Sequence, residues 1–178
     1  MRASRLLNMR VESIDGQRFF GLIKDIRVRN NQIVHIIISR GGIFSKAIYF
    51  EPEAGIVADV DSMNLQDGRE VTRASGKEIR RVLEGTHSLY DLKVYDVDHL
   101  LIGTLADATI TPDFKILEYE VSRSFFDDVD RGFALIPVEE LTYDGAAMRF
   151  CRHYNEIPEN GREGGIIRKT LGDEGDDQ

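Results

Sequence analysis

The side chains of this sequence that could bind a metal ion are few, and their spacing completes no site. Cys151 and His153 lie two residues apart, but no second pair follows at the distance that a four-ligand structural zinc site needs. The string Asp-Val-Asp occurs at 59–61, 96–98 and 128–130, and none of the three continues into a calcium loop with a glutamate at position 12. Acids at turns and strand ends account for these strings. The sequence therefore predicts no metal site.

The patterns that accompany enzymatic chemistry are also missing from the sequence. None of the four histidines belongs to a recognisable triad, and there is no phosphate-binding loop or nucleophile elbow. The glycine cluster at 161–165 lies in a polar segment, without the strand and helix that a phosphate-binding loop connects. We therefore expect a protein that is not an enzyme and that uses no cofactor.

The loop "SRSFFDDVDRGF" at 122–133 is the best candidate for a binding site. Its two phenylalanines stand beside three aspartates, and aromatic anchors inside a charged rim are typical of protein-binding hot spots. The alternative is that both rings plug the end of a β-barrel while the arginine pairs with the acids, because large aromatic side chains stabilise a fold by burial. The candidate protein-binding residues are Arg123, Phe125, Phe126, Asp127, Asp128 and Asp130.

A second candidate site lies in the basic first part of the chain. Residues 1–50 carry nine Lys and Arg against three acids, a balance of +6, whereas the whole chain carries −8. Lys24, Arg27 and Arg29 are the candidates for an anionic partner, since Arg27 and Arg29 project from one face of a strand. A pI near 5.0 and the lack of an aromatic platform among these residues oppose RNA binding. Docking onto the acidic remainder, within one chain or in a homodimer, explains the same asymmetry.

The elements that must position these residues are repeated along the chain. The stretch "VESIDGQRFFGLIKDIRV" matches "VYDVDHLLIGTLADATI" in the order of its apolar and turn residues. Both contain Gly-x-x-x-Asp, at 21–25 and 103–107, and both lead to an aliphatic residue followed by Ser-Arg, at 38–40 and 121–123. Order and spacing agree over about 45 residues, which indicates a tandem duplication.

Each repeat has the pattern of short β-strands separated by turns. The segment "QIVHIIIS" is dense in β-branched residues and gives the strongest strand signal in the chain. The segment "KILEYEVS" alternates, with Glu118 and Glu120 on one face and Leu117, Tyr119 and Val121 on the other, so that one face meets a core and the other meets water. The chain is therefore predicted to be mostly β, with two small antiparallel β-barrels in tandem.

A short helix is predicted between the repeats, in "SGKEIRRVLEG" at 75–85. Ser75 and Glu78 have the spacing of a capping box, and Gly85 suits the C-terminal end of the helix. Three aliphatic side chains at positions i, i+3 and i+4 form a stripe, which predicts that the helix docks between the barrels. The predicted organisation is a first domain at 1–65, a linker at 66–91, a second domain at 92–154 and a disordered acidic tail at 155–178.

The composition is that of a globular protein, with 178 residues of which 42% are hydrophobic and 30% charged. No apolar run approaches the roughly 18–20 residues that span a bilayer, and the N-terminal residues do not have the pattern of a secretory signal. The single cysteine suits a reducing compartment. We therefore expect a cytoplasmic protein.

Both repeats resemble the PRC-barrel domain. In the first, "ASRLLNMRVESIDGQRFFGLIKDIRV" has the leader ending in Leu, the Val strand, Asp-Gly and Gly-x-x-x-Asp. The second, "LKVYDVDHLLIGTLADATITPD" and "ILEYEVSRSFFDDVDRGFALIPVEEL", continues the match through Ser-Arg, a Phe-rich loop and an Ile-Pro strand end. The resemblance implies small barrels like those of the photosynthetic reaction-centre H subunit and the ribosome maturation factor. It implies an adaptor or assembly protein with a protein partner, or alternatively a ribosome- or RNA-associated factor.

Overall fold

The protein is mostly β, as predicted, with two sheets, one of them curled like half of a barrel, and one α-helix in the part of the chain described here. No helix in that part is both long and apolar enough to cross a membrane. The chain divides into two compact units, residues 1–89 with 108–116 and residues 90–107 with 117 onward. The computed structural model describes residues 1–41, 47–52, 57–58, 62–65, 71–123 and 132–157.

The first unit is built on an eight-stranded sheet in the order β5-β6-β1-β2-β3-β4-β7, with β8 beside β2. Its β1 runs parallel to β6, and the other neighbours are antiparallel. The elements are β1 (Arg10–Ser13), β2 (Phe19–Arg29), β3 (Gln32–Ser39), β4 (Ala47–Phe50), β5 (Val57–Ala58), β6 (Ser62–Leu65), β7 (Thr72–Ala74), α1 (Gly76–Leu83) and β8 (His87–Ser88), after a 3-10 helix at Ala3–Leu6.

The second unit carries a six-stranded sheet in the order β12-β11-β10-β9-β14-β13. Here β9 runs parallel to β14, while its other neighbour β10 is antiparallel. The elements are β9 (Lys93–Tyr95), β10 (Leu101–Ile110), β11 (Ile116–Ser122), β12 (Ala134–Pro137), β13 (Leu141–Tyr143) and β14 (Met148–Phe150), with 3-10 turns at Val138–Glu140 and Tyr154–Glu156. The end of the β10–β11 hairpin, Ala108–Ile116, belongs to the first unit.

The strand order of the first sheet recurs in the second. Six strands of the first sheet are ordered β5-β6-β1-β2-β3-β4, and the strands of the second are ordered β13-β14-β9-β10-β11-β12. In both, the first strand in the chain lies between its antiparallel successor and a parallel sixth strand. The repeated sequence therefore has a repeated topology. Closure of each sheet into a separate barrel stays a prediction, as do the domain boundaries.

The repeated Gly and Ser mark the same close backbone crossing in both units. A Cβ atom built on Gly21 would lie 2.6 Å from the carbonyl oxygen of Ser39, and one built on Gly103 would lie closer still to the carbonyl oxygen of Ser122. Gly21 also has φ +147°, a conformation that side chains with a Cβ rarely adopt. These positions need glycine because the second and third strands touch there.

Each unit buries its own aliphatic and aromatic side chains. In β2 the burial alternates imperfectly, because bulges interrupt the register with β3 between Ile23 and Asp25 and between Arg27 and Val28. Fully buried residues include Ile23, Ile26, Val28, Ile36, Ile38 and Phe50 in the first unit, and Val94, Leu105, Tyr119, Val121, Ile136 and Phe150 in the second.

The predicted helix is confirmed as α1. The backbone N–H of Ser75 donates to Oε2 of Glu78 at 2.7 Å, which is the predicted capping box. Gly85 follows the helix with φ +69°, as its predicted role at the C-terminal end requires. The three aliphatic side chains of the stripe, Ile79, Val82 and Leu83, are half-buried within the first unit. Docking of this helix between two barrels stays a prediction.

Candidate functional site

The 122–133 loop falls largely on residues that the structure does not describe. Arg123 directly follows β11 and is half-buried. The alternatives of a hot spot and of a barrel plug both stay predictions. The loop candidates outside the described residues are Phe125, Phe126, Asp127, Asp128 and Asp130.

Two of the three basic candidates are brought together. Arg27 donates from Nε to Oγ1 of Thr86 at 3.3 Å and pairs with Asp25 at 3.2 Å. Arg29 donates to the carbonyl oxygen of Glu84 at 2.8 Å. Both guanidinium groups thus attach the segment after α1 to β2.

Lys24 points elsewhere. Its Nζ donates to Oδ1 of Asn8 at 2.7 Å. The anionic-partner role of these three residues stays a prediction, and an anion bound there would compete with the bonds that Arg27 and Arg29 already make.

A different arrangement stands out in the second unit, around the buried carboxylate of Asp96. Its Oδ1 accepts the backbone N–H groups of Asp98 and Leu100, both at 2.9 Å, which fixes the turn from β9 to β10. Its Oδ2 accepts the N–H of Tyr154 at 3.0 Å. The N–H of Val97 also donates to the carbonyl oxygen of Arg152, at 3.4 Å. One side chain therefore joins two segments that are far apart in the sequence.

The hydrogen bonds to Asp96 also set its charge. Burial raises the pKa of this carboxyl group, but the backbone N–H groups of Leu100, Tyr154 and Asp98 lower it by more, so that its pKa lies below the usual value. Asp96 is therefore ionised at neutral pH, and its negative charge is held by backbone donors.

The segments joined by Asp96 leave large apolar side chains in water. Val97, Leu100, Leu101 and Tyr154 are each between 43% and 59% exposed. Single exposed apolar residues are ordinary, but several around one anchored turn make this region the candidate site of the second unit. We name these four residues the apolar corner.

The rim of the apolar corner is acidic and carries one histidine. Nδ1 of His153 lies 2.8 Å from Oδ2 of Asp98, and this contact together with the charge of Asp98 raises the pKa of His153. Glu156 accepts the backbone N–H of His153 at 3.3 Å. Carboxylates therefore border the apolar side chains.

A groove of about 440 Å³ opens beside the corner, lined by Tyr95, His99, Ala147 and Arg149 among others. The guanidinium of Arg149 lies 5.0 Å from the ring centroid of Tyr95 and donates to Oδ2 of Asp144 at 2.7 Å. Its Nη1 also lies 3.2 Å from Nδ1 of His99. These bonds hold the wall of the groove in a fixed position.

Among the residues that the structure describes, no group of three or more His, Cys, Asp or Glu side chains could hold a metal ion. Comparison with protein-family models found no match, and comparison with curated proteins found none either. The PRC-barrel resemblance thus stays a prediction that depends on the motifs quoted above.

Sequence reasoning missed the apolar corner. The local signal was present in "YDVDHLL", where an aspartate can accept N–H groups two and four residues on and so expose the leucines that follow. The contribution of Tyr154 had no local signal, because it follows Asp96 by 58 residues.

Proposed function

We propose that the protein is a non-enzymatic adaptor or assembly protein that binds a protein segment at the apolar corner of its second unit. The observation that carries this proposal is the exposure of four large apolar side chains around one buried, ionised aspartate. Because the anchoring is complete before any partner arrives, binding does not have to order this turn, which lowers its entropic cost.

The partner segment is aliphatic and basic. Burying a leucine side chain contributes about 1.5–3 kcal/mol, so contact with Leu100 and Leu101 supplies the core of an interface. Asp98 and Glu156 border the corner and the whole chain carries −8, which favours Lys or Arg in the partner. The groove beside Tyr95 accommodates one further side chain.

The proposal also covers the closure of the barrels, the 122–133 loop and the location of the protein in the cell. Two closed barrels of the PRC type are supported by the repeated motifs and the repeated strand order. The 122–133 loop supplies a second contact surface. A cytoplasmic location is supported by the single cysteine.

The test uses a random-peptide library selected against the full chain. We expect enriched peptides that combine aliphatic and basic residues, and we expect Leu100→Asp to weaken their binding at least about tenfold, or 1.4 kcal/mol. Leu117→Asp is the matched control, because Leu117 is 52% exposed in the same unit but lies on β11. Thermal unfolding checks that both variants fold.

Two results would overturn the adaptor proposal. One is enrichment of peptides that bind Leu100→Asp as tightly as the wild type. The other is a wild-type homodimer in sedimentation that Leu100→Asp converts to a monomer, since the occupant of the corner would then be a second copy of the chain.

A further inference from the structure

A second groove, of about 680 Å³, lies in the first unit and is lined by three arginines. Arg18 precedes β2, Arg40 follows β3 and Arg73 lies in β7, so that three separate elements supply the cations. Phe19 stands among them at the start of β2. Arg18 and Arg40 belong to the basic first part of the chain, but none of the four is among the named candidates Lys24, Arg27 and Arg29.

Arg40 is held rigidly by the backbone of β2. Its Nε donates to the carbonyl oxygen of Phe20 at 3.0 Å, and its Nη2 donates to that of Phe19. These bonds use one edge of the guanidinium, and among the described residues no hydrogen bond from its Nη1 is formed. Arginine presents five N–H donors in a fixed fork that matches an oxyanion.

The other two guanidinium groups form no direct bond within the described part of the chain. Arg18 and Arg73 are exposed, and neither side chain forms a hydrogen bond or an ion pair with another described residue. Oδ1 of Asp15 accepts the hydroxyl of Ser13 and the N–H of Gln17. These bonds and the charge of Arg18 lower the pKa of Asp15, so this carboxylate offsets part of that charge. Three like charges that share one groove repel each other, and an anionic ligand relieves that repulsion.

Phe19 adds an aromatic surface to these cations. Its side chain is 38% exposed, and the guanidinium carbon of Arg10 lies 4.7 Å from its ring centroid. Arg10 is in turn paired with Glu12 at 3.5 Å. The cation–π contact holds the ring in place and so provides a platform on which a planar base can stack.

We propose that this groove binds a nucleotide, with the phosphate at Arg18, Arg40 and Arg73 and the base against Phe19. A carboxylate would use the guanidinium groups but not the ring, whereas a nucleotide uses both. The ligand is either a free nucleotide or one nucleotide of a single-stranded RNA. This site is independent of the adaptor proposal, which concerns the second unit.

The experiment titrates the full chain at low salt with four probes: AMP, a labelled oligoadenylate, inorganic phosphate and an oligoglutamate peptide. Arg73→Gln and Phe19→Leu are the test variants, because neither side chain donates a hydrogen bond to another described residue. Arg80→Gln is the control, since Arg80 is an exposed arginine of α1 outside the groove. Thermal unfolding verifies that each variant is folded.

We expect Arg73→Gln to weaken AMP or oligoadenylate binding about tenfold and to lower the salt slope by about one. Phe19→Leu should weaken the adenine-bearing probes about tenfold and leave inorganic phosphate unaffected. Arg80→Gln should bind as the wild type does. Binding of AMP alone identifies a free nucleotide as the source, and binding of oligoadenylate without AMP identifies RNA.

Three results would overturn the proposal. The first is no binding of either adenine-bearing probe at low salt. The second is equal binding of oligoglutamate, which would make the groove a site for acidic peptides. The third is binding that Arg80→Gln weakens as much as Arg73→Gln, which would indicate attraction by overall charge.

Discussion

The turn between the first two strands of each sheet can be compared directly in the two units. In the first unit, Oγ of Ser13 accepts the backbone N–H of Arg18 at 3.0 Å. In the second, Oδ1 of Asp96 accepts the N–H of Leu100 at 2.9 Å. In both, a side-chain oxygen at the end of the first strand fixes the far side of the turn.

The two turns present different side chains to solvent. The first leads through Arg18 into Phe19 at the start of β2, and the second leads through Leu100 into Leu101 at the start of β10. The same two positions therefore carry a cation and an aromatic ring in the first repeat and two aliphatic side chains in the second. The two sheets thus share a strand order, while their equivalent turns carry side chains of different chemistry.

The largest expected effect is a loss of stability at the close strand crossing that the two units share. Gly103→Ala should lower the free energy of unfolding by about 3 kcal/mol or prevent folding, because its Cβ would meet the backbone of Ser122. Gly21→Ala should act similarly at Ser39. Urea unfolding measures both. Gly76→Ala is the control, since nothing lies within 4 Å of a Cβ there. If both test variants were as stable as the wild type, the shared crossing would be disproved.

The second-largest expected effect is the stability that the side-chain oxygen of each turn contributes, which should be smaller for Ser13 than for Asp96. Ser13→Ala should cost about 1–2 kcal/mol, because it removes the bond from the N–H of Arg18 and the bond to Asp15. Asp96→Ala should lower the Tm further, because it leaves three backbone N–H groups without their acceptor. Asp96→Asn should recover part of the loss, since an amide oxygen still accepts. An Asp96→Ala Tm equal to that of the wild type would contradict the role of this carboxylate as an anchor.

The smallest effect is a dependence on pH with opposite signs in the two units. Burial lowers the pKa of His35 and of His87 in the first unit, so the folded protein holds them neutral while the unfolded chain takes up protons near 6.5. Stability from this source therefore falls as the pH drops below about 6.5. The raised pKa of His153 has the reverse effect, contributing stability below 6.5 that is lost as the pH rises through its folded pKa.

This dependence can be measured as the Tm between about pH 8 and pH 5. Relative to the wild type, His87→Gln should lose less Tm on acidification, and His153→Gln should lose more. Parallel curves for all three proteins would contradict the assignment of opposite signs.

The fold could be predicted wherever the signal was local. The capping residues of α1 and the β-branched run of β3 each specify their own element. In β11 the prediction was partly wrong, since Tyr119 and Val121 are buried as their shared face requires, but Leu117 is exposed and Glu120 is fully buried. Alternation identifies two faces of a strand, but it does not show what covers each face along its length.

The two proposed binding surfaces could not be predicted because they depend on contacts between distant residues. Arg40 lies against a carbonyl group twenty residues earlier in the chain, and the register of β1 with β2 is what brings Arg10 over Phe19. The charges of Arg27 and Arg29 suggested a site, but without the positions of Thr86 and Glu84 the sequence could not show that these groups already have partners.

The assignment of Ala108–Ile116 to the first unit has a consequence for how much of the chain that unit needs. These residues lie in the second copy by sequence, yet Ile110, Phe114 and Ile116 help to fill the interior of the first. Residues 1–89 on their own would therefore lack three of the side chains that are buried in the first unit, and we expect such a fragment to fold poorly without residues 108–116.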